Sequence, residues 1–128
     1  MYGEEEPRIA RPILVVDDDD GIRELVSVAL GEEGYTVVTA SNGQEALDRV
    51  AAYAPGLILL DLWMPVLDGA AFLKAYRRAA EAPAPVIMLA AATNAAAIAF
   101  QEHADAFLAK PFDLGELLDL VDQHMPSK

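Results

Sequence analysis

The strongest constraint on this chain is a series of short, unbroken apolar runs that stop on charged residues. Ile13–Val16 runs into Asp17, Leu57–Leu60 into Asp61, and Val86–Ala90 is equally apolar; two weaker runs, Tyr35–Ala40 and Ala106–Ala109, complete a set of five, and the last runs into Lys110. Each run has the length of a strand. Their continuous rather than alternating apolar character predicts strands covered on both faces, the condition of a parallel sheet. Helical patterns separate them. Parallel strands joined through helices need right-handed crossovers that place helices on both faces, so the expected fold is α/β, a doubly wound (βα)5 three-layer sandwich around a five-stranded sheet.

Five helices fit the spacing. Ile22, Leu25, Val26, Ala29 and Leu30 fall on one face, with Gly31 and Gly34 available to end that helix. Ala46, Leu47 and Val50 mark a second, preceded by Ser41 and Asn42 as cap candidates and closed by Pro55; Phe72, Leu73 and Tyr76 mark a third, opened by Asp68. Thr93–Glu102 predicts a fourth, mostly alanine, with little side chain to bury. Leu114, Leu117, Leu118 and Val121 give the fifth at i, i+3, i+4, i+7 spacing. A chain of 128 residues holds one domain, expected over 12–125, with 1–11 as a flexible polar arm and 126–128 as a tail or the start of a removed linker.

Composition narrows the chemistry. With no cysteine, disulfide frameworks, Cys-based zinc sites and thiol catalysis are excluded. No apolar run approaches the ~20 residues of a membrane helix, and the start of the chain lacks a signal core, so a cytoplasmic domain without membrane contact is expected. Acidic residues number 21 against 9 basic, a net charge of -12 that repels phosphate backbones and argues against direct nucleic-acid binding. Excess acid also serves solubility, so what matters is where the acids gather.

They gather at strand ends. Asp17 and its neighbours Asp18, Asp19 and Asp20 follow the first strand, Asp61 the third, and Lys110 the fifth. In an open parallel α/β sheet those ends form the ligand crevice. Carboxylates crowded in one crevice repel one another unless a counter-charge joins them. With only oxygen ligands on offer and both histidines, His103 and His124, distant in sequence from these ends, the set suits a hard cation such as Mg²⁺, or Mn²⁺ in its place. Such an ion keeps positions open for water and phosphate, and a nearby ammonium adds a point charge for a phosphoryl oxygen. The site reads as one for phosphoryl chemistry. Asp19 and Asp20 fit better as N-cap and first-turn acids, Asp68-Gly69 as a turn and helix start, and the two histidines as exposed helix ends.

The stretches Val15-Val16-Asp17-Asp18-Asp19, Leu59-Leu60-Asp61-Leu62-Trp63-Met64-Pro65, Asp68-Gly69, Pro85-Val86-Ile87-Met88-Leu89 and Lys110-Pro111-Phe112, in this order, resemble the receiver domain of two-component response regulators from about Pro12 to Gln123. The resemblance implies the flavodoxin-like strand order 2-1-3-4-5. It implies that Asp61 is the phosphoacceptor, taking a phosphoryl group from a phosphohistidine with the help of Mg²⁺ and Lys110. Asp18 would bind the metal directly, Asp17 directly or through water, and Trp63 through its backbone carbonyl. Lys110-Pro111 would be the family's Lys-Pro pair, often cis. The implied partners are a sensor histidine kinase or histidine phosphotransfer domain and a downstream protein or fused output domain. The output surface, and any dimer face, would be the fourth helix, fifth strand and fifth helix.

Three positions depart from the family. Ala90 stands where a Thr or Ser hydroxyl is expected to reach the phosphoryl oxygen; Thr93, three residues on, fits the cap of the fourth helix better than a replacement. Phe107 keeps the ring of the switch aromatic but offers no hydroxyl, and His103 replaces a glycine. A hydrogen bond to a charged group is worth about 1.5–3 kcal/mol, so losing it should weaken the switch more than the transfer. The expected function is therefore a phosphoacceptor that changes partner affinity and catalyses only its own phosphorylation and dephosphorylation. The alternative is a non-switching interaction module. A phosphatase using Asp17 as nucleophile and Asp19 as acid would leave the Asp61 and Lys110 motifs as coincidences.

Overall fold

The computed structural model describes residues 11–91 and 104–125. The expected arm at 1–10, the helix over 93–102, His103 and the tail at 126–128 lie outside the described residues. In chain order the elements are β1 (Ile13–Val16), α1 (Asp20–Glu32), β2 (Val37–Ala40), α2 (Gly43–Tyr53), β3 (Leu57–Asp61), α3 (Gly69–Ala79), β4 (Val86–Ala91), β5 (Ala106–Lys110) and a C-terminal helix, here α4 (Leu114–His124). All five expected strands form. They pair in parallel in the order β2-β1-β3-β4-β5, the 2-1-3-4-5 order of a flavodoxin-like receiver fold.

The continuous apolar runs are explained by burial on both faces. β1 and β3 are buried at every position, whereas edge strand β2 is half-covered until Ala40. Successive residues of β1 turn to opposite faces. Leu14 and Val16 join Phe72, Leu73 and Tyr76 of α3 and Ala46 of α2 on one side. Ile13 and Val15 join Val26 and Leu30 of α1 and Leu117 and Val121 of α4 on the other. Burying each such side chain contributes about 1.5–3 kcal/mol.

The helix ends follow their capping residues. The Asp19 carboxylate accepts from Gly21 and Ile22 N–H, Asn42 from Glu45 N–H, Asp68 from Ala71 N–H and Asp113 from Gly115 N–H. α1 continues through Gly31 and stops with Gly34, whose φ is 93°. There Tyr35 N–H donates to Leu30 O and Gly34 N–H to Gly31 O, the paired bonds of a Schellman ending. Leu25 corrects the expected face of α1: it is 52% exposed, because Val26 and Leu30, one turn apart, point at the sheet and leave Leu25 on the flank. His124 sits in the last turn of α4, half-buried rather than exposed, with Nδ1 2.9 Å from Leu120 O. No helix among the described residues is long and apolar enough to cross a membrane.

Candidate functional site

Register brings the acids together. Val16 of β1 pairs with Leu60 of β3, so the next residues, Asp17 and Asp61, lie side by side where both strands end. Across the sheet Asp61 pairs with Leu89, Leu89 with Leu108, and Lys110 stands two residues further along β5. Its long side chain reaches back over the edge. Lys110 Nζ lies 2.8 Å from Asp17 Oδ2 and 3.1 Å from Asp61 Oδ1. Asp17 is fully buried and Asp61 nearly so, while Asp18 is exposed at the rim.

The backbone completes the hold on Asp17. Its Oδ1 accepts from Asp19 N–H at 2.9 Å, and its carbonyl accepts from Arg23 Nη1 at 2.7 Å. Arg23, on the first turns of α1, is also paired with Asp20. Sequence reasoning missed Arg23; a lone base following four aspartates was the available signal. The Lys110–Pro111 peptide bond is cis, as the resemblance implied.

One carboxylate oxygen from each of Asp17, Asp18 and Asp61 can be chosen so that all lie within 4.8 Å of one another. Three carboxylates face one ammonium, an excess of two negative charges. The strain registers on Asp61. Burial foremost, and then the charge of Asp17, push its carboxyl up to about 6; Lys110 opposes the rise and Asp18 adds to it. For Lys110, burial works against the ammonium, but the hydrogen bond to Asp17 and the charges of Asp61 and Asp17 outweigh it and raise its pKa. An all-oxygen donor set with surplus negative charge fits a hard divalent cation, and the Asp17–Asp18–Asp61 trio is typical of a receiver Mg²⁺ site.

The remaining expected positions surround this centre. Trp63, two residues past Asp61, is 65% exposed, and Phe107 on β5 is exposed as well. Ala90 is buried on β4, immediately after the register partner of Asp61, and presents only a methyl group. Asp19, Asp20 and Asp68 serve helix starts, as expected.

Two glycines beside the site sit in close backbone contacts that the sequence did not announce. A Cβ on Gly69 would lie 2.4 Å from the carbonyl oxygen of Asp61, and one on Gly43 2.3 Å from that of Leu67. Only hydrogen fits at either place.

The profile described as "Response regulator receiver domain" matches residues 13–122. Sporulation initiation phosphotransferase F of Bacillus subtilis is 38% identical over 117 residues, covering 91% of this chain and 94% of that protein. The DNA-binding transcriptional regulator NtrC of Escherichia coli K12 is 39% identical over 113 residues, covering 87% of this chain. This chain spans only 24% of NtrC. Among solved structures, the receiver domain of NtrX from Brucella abortus superposes with a TM-score of 0.81 at 33% identity, covering 91% of this chain and 99% of that one. Chemotaxis protein CheY4 of Vibrio cholerae gives 0.81 at 31% identity with the same coverage. Fold, acidic centre and sequence thus agree over nearly the whole length, and the chain belongs to the response regulator receiver domains of two-component systems.

Proposed function

We propose that Asp61 is the phosphoacceptor of this receiver, and that the chain takes a phosphoryl group from a phosphohistidine of a sensor kinase or histidine phosphotransfer domain. The observation that carries this reading is the Asp61 carboxylate at the end of β3, hydrogen-bonded to Lys110 within the Asp17–Asp18–Asp61 cluster. An Asp61 oxygen attacks phosphorus, the phosphorus–nitrogen bond of the donor breaks, and the leaving imidazole takes the electron pair and then a proton. Asp17 and Asp18 would hold Mg²⁺ or Mn²⁺ with Asp61 and the Trp63 carbonyl, and a bound cation supplies neutralisation of the phosphoryl oxygens. Lys110, already within reach of Asp61, supplies the second positive charge. Deep burial of Asp17 makes it an anchor for Lys110 as well as a ligand.

Intact mass after incubation with acetyl phosphate tests the reading. One phosphoryl group is expected with Mg²⁺ present, and none without it or in Asp61→Asn. Absence of any adduct at short times, with a kinase donor also tried and Mg²⁺ binding intact, would leave the chain a constitutive interaction module.

Ala90 favours that second reading for the switch alone. Buried beside Asp61, it offers no hydroxyl to a phosphoryl oxygen. Ala90→Thr should leave transfer intact and enlarge the structural response to phosphorylation, seen as amide chemical-shift changes. Equal responses in parent and variant would clear Ala90 as the weak point. The output face made by the expected fourth helix (outside the described residues), β5 with its exposed Phe107, and α4, and any dimer formed there, belong to the same proposal.

A further inference from the structure

The loop from Leu62 to Asp68 carries Trp63 directly after the acceptor strand, and Trp63 itself does little to hold it in place, being 65% exposed. The main chain is fixed instead at two shoulders. At the base, Gly69 N–H donates to Leu62 O at 2.9 Å and closes the loop. On the far limb, Gly43 N–H, at the start of α2, donates to Leu67 O at 2.9 Å. Between them Leu67 N–H donates to Pro65 O at 2.8 Å across Val66, whose φ is 71°, so the tip is a tight γ-turn.

Both shoulders are in backbone contact too close for any side chain. At buried Gly43 a Cβ would lie 2.3 Å from Leu67 O and 2.8 Å from Leu67 Cβ. Neither atom is the free end of a flexible chain, so an added methyl must displace α2 or the loop by about 1 Å, on the scale at which remote shifts disturb a reacting centre. α2 is anchored by the Asn42 cap and by buried Ala46. The loop base has no room to retreat, because Gly69 N–H is bonded to Leu62 O and a Cβ on Gly69 would lie only 2.4 Å from Asp61 O. The displacement therefore falls on the stretch between Leu62 and Leu67.

We propose that Gly43, on a different element from the acidic cluster, is a positioning residue for cation binding: its contact with Leu67 holds the Leu62–Leu67 loop, and with it the Trp63 main chain two residues past Asp61. This rests on the reading of that cluster, with the Trp63 carbonyl, as a Mg²⁺ site. Outer-shell residues that orient metal ligands typically change affinity by about 10- to 100-fold when replaced.

Isothermal titration of the full 128-residue chain with MgCl₂, at a temperature where circular dichroism shows each variant folded, tests it. Emission of Trp63, the one tryptophan of the chain, gives a second readout. Gly43→Ala should bind Mg²⁺ about 10-fold more weakly than the parent. Gly31→Ala, whose Cβ would meet nothing within 4 Å, should bind as the parent does. Arg77→Ala, which removes a pairing with Asp105 far from the site, should lower stability without changing affinity, separating positioning from general destabilisation. Parental affinity in Gly43→Ala would overturn the proposal. If that variant does not fold, Asn42→Ala slackens the first turn of α2 without adding an atom and should weaken Mg²⁺ in the same direction; unchanged affinity there overturns the proposal equally. A parent chain that binds no Mg²⁺ would overturn the cation reading of the cluster, and this inference with it.

Discussion

Asp61 is the proposed phosphoacceptor, and its protonation makes a quantitative prediction. Its folded pKa, pushed up to about 6 chiefly by burial and then by Asp17, lies above the ordinary carboxylate value. The folded state thus keeps a proton that the unfolded chain releases. The resulting stability is fully present below the unfolded pKa and is lost as pH rises through about 6. At pH 7 the ionised, metal-free site costs about 3 kcal/mol relative to low pH. In chelator, Asp61→Asn should therefore resist urea better than the parent at pH 7, with the advantage fading toward pH 5; a variant weaker than the parent at pH 7 would contradict this. Val66 carries a second cost. A β-branched residue at φ 71° is strained by ~1–3 kcal/mol, its side chain is 80% exposed, and glycine would lose no packing there. Val66→Gly should stabilise the chain by roughly 1 kcal/mol in denaturant melts, and a loss of stability would show that the turn is not strained. Asp17, Asp61 and Lys110 were legible in the sequence because each ends an apolar run. The strain at Val66 was not, since nothing in Pro65-Val66-Leu67 announces a positive φ at a valine.

The elements were legible where local chemistry decides them. Asp19, Asn42 and Asp68 cap the helices they precede because short side chains reach the free amides of the first turn. The end of α1 was less legible: Gly31 and Gly34 were equal candidates, and Gly34 is chosen by the bonds that Tyr35 and Gly34 return to the last turn. Leu25 was placed on the wrong face because the apolar stripe of α1 is wider than the strip the sheet can cover. Asp105 was not singled out, yet it joins three elements. It lies just before β5; its carboxylate accepts from Val86 N–H at 2.8 Å and pairs with Arg77 of α3 at 3.2 Å, and its own N–H donates to Val86 O. Asp105→Ala should cost about 1–2 kcal/mol through the lost partner of Val86, read in thermal melts, while leaving Mg²⁺ binding unchanged. Unaltered stability would mean that water satisfies Val86 equally well.

Over the whole molecule, the sheet is buried on both faces, and its order puts β3, which ends on Asp61, next to β1, which leads into Asp17, with Lys110 on β5 two strands away on the other side. Asp17, Asp18 and Asp61 converge at the sheet edge, while Glu24, Glu32, Glu116, Asp119 and Asp122 lie exposed on α1 and α4. The strand ends were legible in the sequence as the place where acids gather, and the register of β1 against β3 is what sets Asp17 beside Asp61. Site and fold are thus one arrangement, and the most direct test asks which carboxylate carries the phosphoryl group. The phosphorylated chain would be treated with borohydride, which reduces an aspartyl phosphate to homoserine with release of phosphate, and then mapped by peptide mass spectrometry. Homoserine at position 61 alone is the predicted result; homoserine at position 17 or 18 would contradict it, and at position 17 it would revive the phosphatase assignment for Asp17.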